Sequence, residues 1–379
     1  MQRVWTTSIF IAAGCFAPAM AFAHSDVDSI SDKALVQPAQ IVDCTLENGD
    51  AAQCASYTLK FVPDDLEIGP FCPATLDDVG GIWDWDGENA GLYRIDGDYL
   101  KMLSGLGYTF FNDDGVVNVF DIRVEGPEAE HECIAGSLDA GSEMSITTLI
   151  PIAPVLADAS TSLGTVAKVG IALDGVPIFA DAPSVLDTGH MPALDTCGGH
   201  VDPGGWYHWH ATATDIDTVF AQDGVDASCA NVAQDQTAQF AYAFDGFAMF
   251  GSLEADGAAP VGLDQCGGHI GTTLGSAEEV YHYHAGDGFP NLPTCLMGVV
   301  AQDNFATTAA QGIGSAGGPG GGGQGGPDFS GTAAALGVDV ADLQAALDAE
   351  GGRDADLAKV AARLNVSLDD LQGAMPGRP

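Results

Sequence analysis

Six histidines of the chain fall into two sets of one design. His200, His208 and His210 make the first set, and His269, His282 and His284 repeat it about 70 residues later. Each set follows the signature Leu-Asp-x-Cys-Gly-Gly-His, then Tyr-His-aromatic-His-Ala. In an extended strand, residues i and i+2 project to the same face. His208 and His210 therefore point together, as do His282 and His284. Tyr207, Trp209, Tyr281 and Tyr283 point the other way, where aromatic rings pack into a core. The Gly-Gly before His200 and His269 permits a tight turn that brings the third imidazole back towards the strand. Three neutral imidazoles with one open position form a site for zinc or copper.

A structural network is the competing reading, because a half-buried histidine often serves only to satisfy a backbone carbonyl. Duplication of such a brace would copy it faithfully. Asp195 and Asp264 each precede the signature cysteine by two residues. They either orient a histidine from behind a metal or cap the turn. His24, His131 and His190 lie outside the repeat. Cleavage at Ala21-Phe22-Ala23 would make His24 the first residue, able to chelate copper through amine and ring, but it sits in a polar leader and is not counted with the site.

The elements that must position these histidines read as β. Each copy opens with a short apolar strand and an Asp-Gly, Gly170–Gly175 and then Phe240–Gly246. Asp-Gly between apolar runs favours a type I′ hairpin turn, with Val176–Phe179 and Phe247–Phe250 as the returning strands. Upstream, Tyr57–Val62, Gly91–Ile95 and Val116–Ile122 alternate or are β-rich, and Asp113-Asp114-Gly115 is a turn signal. Residues 44–140 therefore predict an N-terminal antiparallel sheet, or a barrel-like region. Asp84–Asn89 has the alternating oxygens of a calcium loop but lacks its closing Glu, so a hairpin turn is the favoured reading and calcium the weaker one.

The remaining divisions follow from composition. Residues 1–23 read as a signal peptide, with Arg3, an apolar run and a small-x-small cleavage site; Ala13-Gly14-Cys15 offers lipid anchoring at Cys15 as a minor alternative. Residues 24–43 read as a polar leader and 145–300 as the duplicated domain. Residues 302–330 read as a Gly-rich linker, with ten glycines in the sixteen positions 312–327. Residues 331–375 read as a small helical unit. In it Leu336–Gln344 matches Leu364–Gln372, with Asp339 and Ser367 as candidate N-caps. It is too small for a catalytic core and suits docking to a protein partner, or a stable tail.

The charge is 11 minus 53, or −42, which repels nucleic acid and anionic membrane and attracts cations. No later stretch is long and apolar enough for a transmembrane helix. Setting Cys15 aside leaves eight cysteines, an even number that in an exported chain predicts disulfides. Cys197 and Cys229 flank the first histidines as Cys266 and Cys295 flank the second, so each copy closes its own loop. Cys44–Cys54 and Cys72–Cys133 then pair by elimination. The compartment implied is periplasmic or extracellular.

Tyr281-His282-Tyr283-His284, together with Phe244-Asp245-Gly246-Phe247 and Leu263–His269, resembles the YHYH-domain family of exported proteins over roughly residues 145–300. Trp209 stands where the motif has tyrosine, and Ala248 where a proline is usual; neither change touches a histidine. The resemblance implies no established reaction. The expectation is a mainly β, disulfide-bonded, exported protein that binds copper or zinc through its histidine repeats. One rival is a secreted metalloenzyme using an open three-histidine site, although no His-Glu-x-x-His or Gly-x-Ser-x-Gly motif is present. The other is a structural or surface-interaction protein whose histidines do not ligate.

Overall fold

A computed structural model of the chain describes residues 29–60, 68–138, 144–163, 168–180, 182–212, 235–286 and 291–315, with single residues between and parts of 332–372. Cys15, His24 and the cleavage site lie outside the described residues. So do residues 316–331, most of the Gly-rich stretch. No helix among the described residues is long and apolar enough to cross a membrane.

The chain is mainly β. Strands β1 (Leu35–Thr45) and β2 (Ala51–Lys60) form a hairpin. Then come β3 (Ile82–Trp85), β4 (Gly91–Arg94), helix α1 (Gly97–Gly105), β5 (Val119–Asp121) and β6 (Cys133–Ala135). Strand β7 (Ser145–Pro151) returns antiparallel to β2, and β8 (Leu156–Ser162) follows it. The residues 35–43, polar enough to read as a leader, are thus paired strand. Their alternation is masked in the sequence because this edge strand leaves most side chains exposed.

The N-terminal β region is two units rather than one sheet. Strands β1, β2 and β7 share a core with the duplicated domain, where Tyr57, Leu59, Ile146 and Ile150 are buried with Ile171, Ile178 and Phe244. Residues between 71 and 135 build a second core on Trp83, Trp85, Tyr99, Leu100, Leu103 and Phe110. Asp96 caps α1 by accepting from the Asp98 and Tyr99 amides. The sheets described here are open, not a closed barrel. Asp84–Asn89 closes the β3–β4 hairpin, where the Trp85 indole donates to the Glu88 carbonyl. The hairpin reading of that loop holds.

The duplicated domain is one eight-stranded sheet. Its first half holds β9 (Lys168–Ala172), β10 (Pro177–Phe179), β11 (Gly199–Val201) and β12 (Tyr207–Trp209), with helix α2 (Val185–Thr188) between β10 and β11. Its second half holds β13 (Gln239–Ala243), β14 (Ala248–Phe250), β15 (Gly268–Thr273) and β16 (Ser276–His284). The order β11-β12-β10-β9-β13-β14-β16-β15 is a palindrome of the two copies. At its centre β9 and β13 run antiparallel, with Ile171 opposite Tyr242. These two residues occupy the same place in their copies, three before the Asp-Gly, so the pseudo-twofold axis passes between them.

The Asp-Gly turns differ in detail from expectation. The Gly175 amide donates to the Ala172 carbonyl, and the Gly246 amide to Ala243. Only the glycine takes a positive φ, 87° at Gly175 and 92° at Gly246, so this is the longer hairpin with a left-handed glycine bulge, not type I′. Gly246 is also packed against the Pro151 carbonyl, with no room for a Cβ.

Strand β17 (Cys295–Gly298) pairs with β8, and β18 (Phe305–Thr307) pairs with β7. Residues 302–315 therefore belong to the packed body, not to a linker. Phe305 is buried between Phe179, Trp206 and Phe244. The buried Asp202 carboxylate accepts from the Ile313 and Gly204 amides. In the C-terminal unit, α3 (Leu357–Leu364) and buried Leu343, Leu347, Val360 and Leu371 share a small separate core.

Four disulfides are present, Cys44–Cys54, Cys72–Cys133, Cys197–Cys229 and Cys266–Cys295. Each copy closes its own loop, as the flanking positions imply.

Candidate metal centres

The two histidine sets lie near opposite edges of the eight-stranded sheet, one per copy. In each, two histidines face one another across an antiparallel pair and the third sits two residues along. His200 pairs with His208 in register, and His269 pairs with His282. Strand alternation does the rest, placing His210 and His284 on the same face as their i−2 partners. The aromatics between them are buried on the opposite face, as period two requires.

The Cys-Gly-Gly-His turn is shaped by that aromatic face. Gly198 and Gly267 have φ of 79° and 76°, which favours glycine. Gly199 and Gly268 lie directly against the hydroxyls of Tyr207 and Tyr281, so a Cβ there would overlap the tyrosine. Asp195 and Asp264 serve the turn rather than the histidines. Asp195 accepts from the amides of Cys197 and Gly199 and from the Tyr207 hydroxyl. Asp264 accepts from Cys266, Gly268 and Tyr281 in the same way. Of the two expected roles, turn capping is the one seen. Burial raises the Asp195 carboxyl to about 6 against these hydrogen bonds.

In the second set the Nε2 atoms of His269 and His282 are 3.2 Å apart, and those of His282 and His284 are 3.1 Å apart. The three Nδ1 atoms contact the carbonyls of Val261, Val280 and Gly251 at 3.1, 3.0 and 2.8 Å. A carbonyl only accepts, so each ring must place its single neutral N–H on Nδ1. All three Nε2 atoms are then bare lone pairs facing one another. Glu254 adds a fourth donor, with Oε1 3.2 Å from His269 Nε2 and Oε2 3.7 Å from His284 Nε2. Protonation is an unfavourable remedy, because burial lowers His282 to about 4 and also lowers His284.

The first set has the same triangle, with Nε2 separations of 3.1, 3.0 and 3.1 Å. His200 Nδ1 contacts the Pro192 carbonyl at 3.2 Å, and His210 Nδ1 contacts that of Ala180. His208 Nδ1 is buried with no partner. The carbonyl matching Val280 belongs to Trp206, and it accepts from the Asp202 amide instead. Burial lowers His200 to about 4 and holds His208 and His210 well below the usual imidazole value. Phe179 and Trp206 pack on the His208 ring, as Phe250 packs on His282.

These separations suit a metal. Donors around a tetrahedral zinc at bonds of about 2.0–2.1 Å lie roughly 3.3 Å apart. Both groups are compact enough, with all candidate ligand atoms within 4.8 Å of one another. All six predicted histidines are therefore brought together, three and three. Glu254 is the residue that the motif reading missed. His131 and His190 stand apart; His131 accepts from the Thr109 amide, and His190 packs edge-on to Phe120.

The family model for YHYH protein matches residues 147–261. That segment contains the first histidine set and the opening hairpin of the second copy, and it ends before His269. The second set lies outside the match and is related to the first by the sequence repeat and the palindromic strand order. No curated protein and no solved structure matches the chain.

Proposed function

We propose that this is an exported metal-binding protein whose two copies each hold one copper or zinc ion on an imidazole tripod. One observation carries the reading. In the second copy each Nδ1 contacts a backbone carbonyl, so in the neutral rings three Nε2 lone pairs converge beside the Glu254 carboxylate. A cation relieves that repulsion, and the carbonyl partners fix the rings for it, as outer partners of metal-bound histidines do. The first copy is read the same way from its matching triangle. Export is supported by the signal-like N-terminus and by four disulfides, which persist in oxidising compartments.

Bound at either site, such an ion supplies a Lewis-acidic centre. The chain's own residues align the donors: His269, His282, His284 and Glu254 in one copy, His200, His208 and His210 in the other.

The test is elemental analysis of protein purified from its export compartment and dialysed at moderate salt, which screens cations held by surface carboxylates. Two equivalents of copper or zinc per chain are expected. If wild type and a His282→Ala/His284→Ala variant hold equal amounts, the histidines are braces only.

A further inference from the structure

Among the described residues the two histidine sets differ in one respect, a carboxylate carried by one short segment of the second copy. The carbonyl of Gly251 accepts from His284 Nδ1, and three residues later Glu254 reaches the site. The equivalent carbonyl in the first copy is that of Ala180, which accepts from His210. Counting on by three gives Pro183, whose side chain offers no donor. Glu254 is carried by backbone that is held in place by hydrogen bonds. Its amide donates to the Ala258 carbonyl, its carbonyl accepts from Gly257, and the Leu253 amide donates to Gln236. The turn it occupies is thus tied at both ends.

Its distances are those of a ligand and not of a remote base. Oxygen-to-nitrogen separations of 3.2 and 3.7 Å match neighbouring donors on one ion. A carboxylate bearing on the site changes which ion it prefers. Three neutral imidazoles around a divalent ion leave a net charge of two, expensive to bury; one carboxylate halves it. Carboxylate oxygen is also a poor match for copper(I), which favours soft donors, and a good one for divalent ions.

We propose that Glu254 is the fourth ligand of the second-copy site and commits that site to a divalent ion, zinc in preference to copper(I). This rests on the metal reading of the histidine sets and goes beyond it in assigning a selectivity-determining residue to one of them.

The experiment uses the full-length mature chain stripped of metal, with His208→Ala introduced to disable the first site. Zinc chloride and copper(I), the latter supplied as its acetonitrile complex, are titrated separately against a competing chelator. Adding Glu254→Gln should weaken zinc by about tenfold or more while copper(I) changes by less than about threefold. The visible spectrum of the cobalt(II)-loaded protein should shift between the two proteins, reporting a changed ligand set directly. Circular dichroism confirms that both variants are folded, and Glu254→Asp, which keeps the carboxylate, should recover part of the zinc affinity. Unchanged zinc affinity, an unshifted cobalt spectrum, or equal losses for both ions would overturn the assignment. Failure of the wild-type chain to hold either ion would instead overturn the metal reading itself, so the two failures are distinguishable.

Discussion

His269 and His282 face each other across strands β15 and β16 with Nε2 atoms 3.2 Å apart, while their Nδ1 atoms point away to the carbonyls of Val261 and Val280. His200 and His208 repeat the Nε2 approach on β11 and β12 at 3.1 Å, although only the His200 Nδ1 meets a carbonyl. Between the two pairs lie the four central strands of the sheet. At about 4.8 Å per strand that is far beyond the reach of one ion. One shared site on the pseudo-twofold axis is therefore ruled out by topology. Replacing His282 and His284 with alanine should halve the metal content of the chain and leave the first site loaded. Loss of all metal in that variant would mean that the sites are coupled or that only the second is used.

The disulfide of each copy ties the histidine turn to its own closing segment. Cys266 immediately precedes Gly267-Gly268-His269, and Cys295 begins β17. Converting both to serine should cost about 2–5 kcal/mol of stability, measured by chemical denaturation. It should also lower metal occupancy at the second site alone, because His269 loses its anchor. Non-reduced peptide mapping should recover both intra-copy bridges, and bridges between the copies would contradict the fold.

Gly268 gives a sharper test of the aromatic face. A Cβ at this position would overlap the Tyr281 hydroxyl, so Gly268→Ala should cost about 1–3 kcal/mol from overpacking. His269 follows directly, so zinc affinity at the second site should fall with it. Gly105 has nothing near its Cβ position and lies in α1, so Gly105→Ala serves as a control that should do neither. Equal effects at the two positions would show that the tyrosine contact is unimportant.

Much of this arrangement was legible in the residues themselves. Period-two spacing placed His208 with His210 and His282 with His284, and the repeat placed the cysteines. Glu254 was not legible for a physical reason. It reaches the site from a turn after β14, 15 residues before His269 by subtraction, and the first copy has Pro183 in that place. A reading guided by repetition passes over what only one copy possesses. The segment 302–315 misled differently: it runs into the glycine-rich stretch 312–327, and its packing depends on contacts of long sequence separation, Phe305 with Phe179 and Ile313 with Asp202. The strand at 35–43 was hidden because edge strands can keep polar side chains on both faces.

The pH response should depart from that of exposed histidines. An imidazole with its ordinary pKa near 6.5 begins to take up protons in competition with metal below about pH 6. Burial lowers His200 and His282 to about 4, so both remain neutral, and able to ligate, through pH 5. Metal at the first site, whose three histidines are all lowered by burial, should accordingly survive dialysis at lower pH than an exposed histidine site would; a loss there centred between 6 and 6.5 would contradict the buried geometry. In the metal-free chain the sign is the same for these histidines. Between about 4 and 6.5 the unfolded chain binds protons that the native chain refuses, so their contribution is complete above about 6.5 and is lost as pH falls. Asp195 and Asp245, raised by burial to about 6, act the other way. Their native forms hold protons that the unfolded chain releases above about 3.9, so their contribution is present at low pH and lost as pH rises through 6. The two slopes oppose each other between about 4 and 6, so in the metal-free protein each partly offsets the other there. Asp195→Asn removes one carboxylate slope while preserving the turn's amide acceptor. It should therefore leave stability falling more steeply as pH drops from 6 to 4, which urea titrations at a series of pH values would resolve.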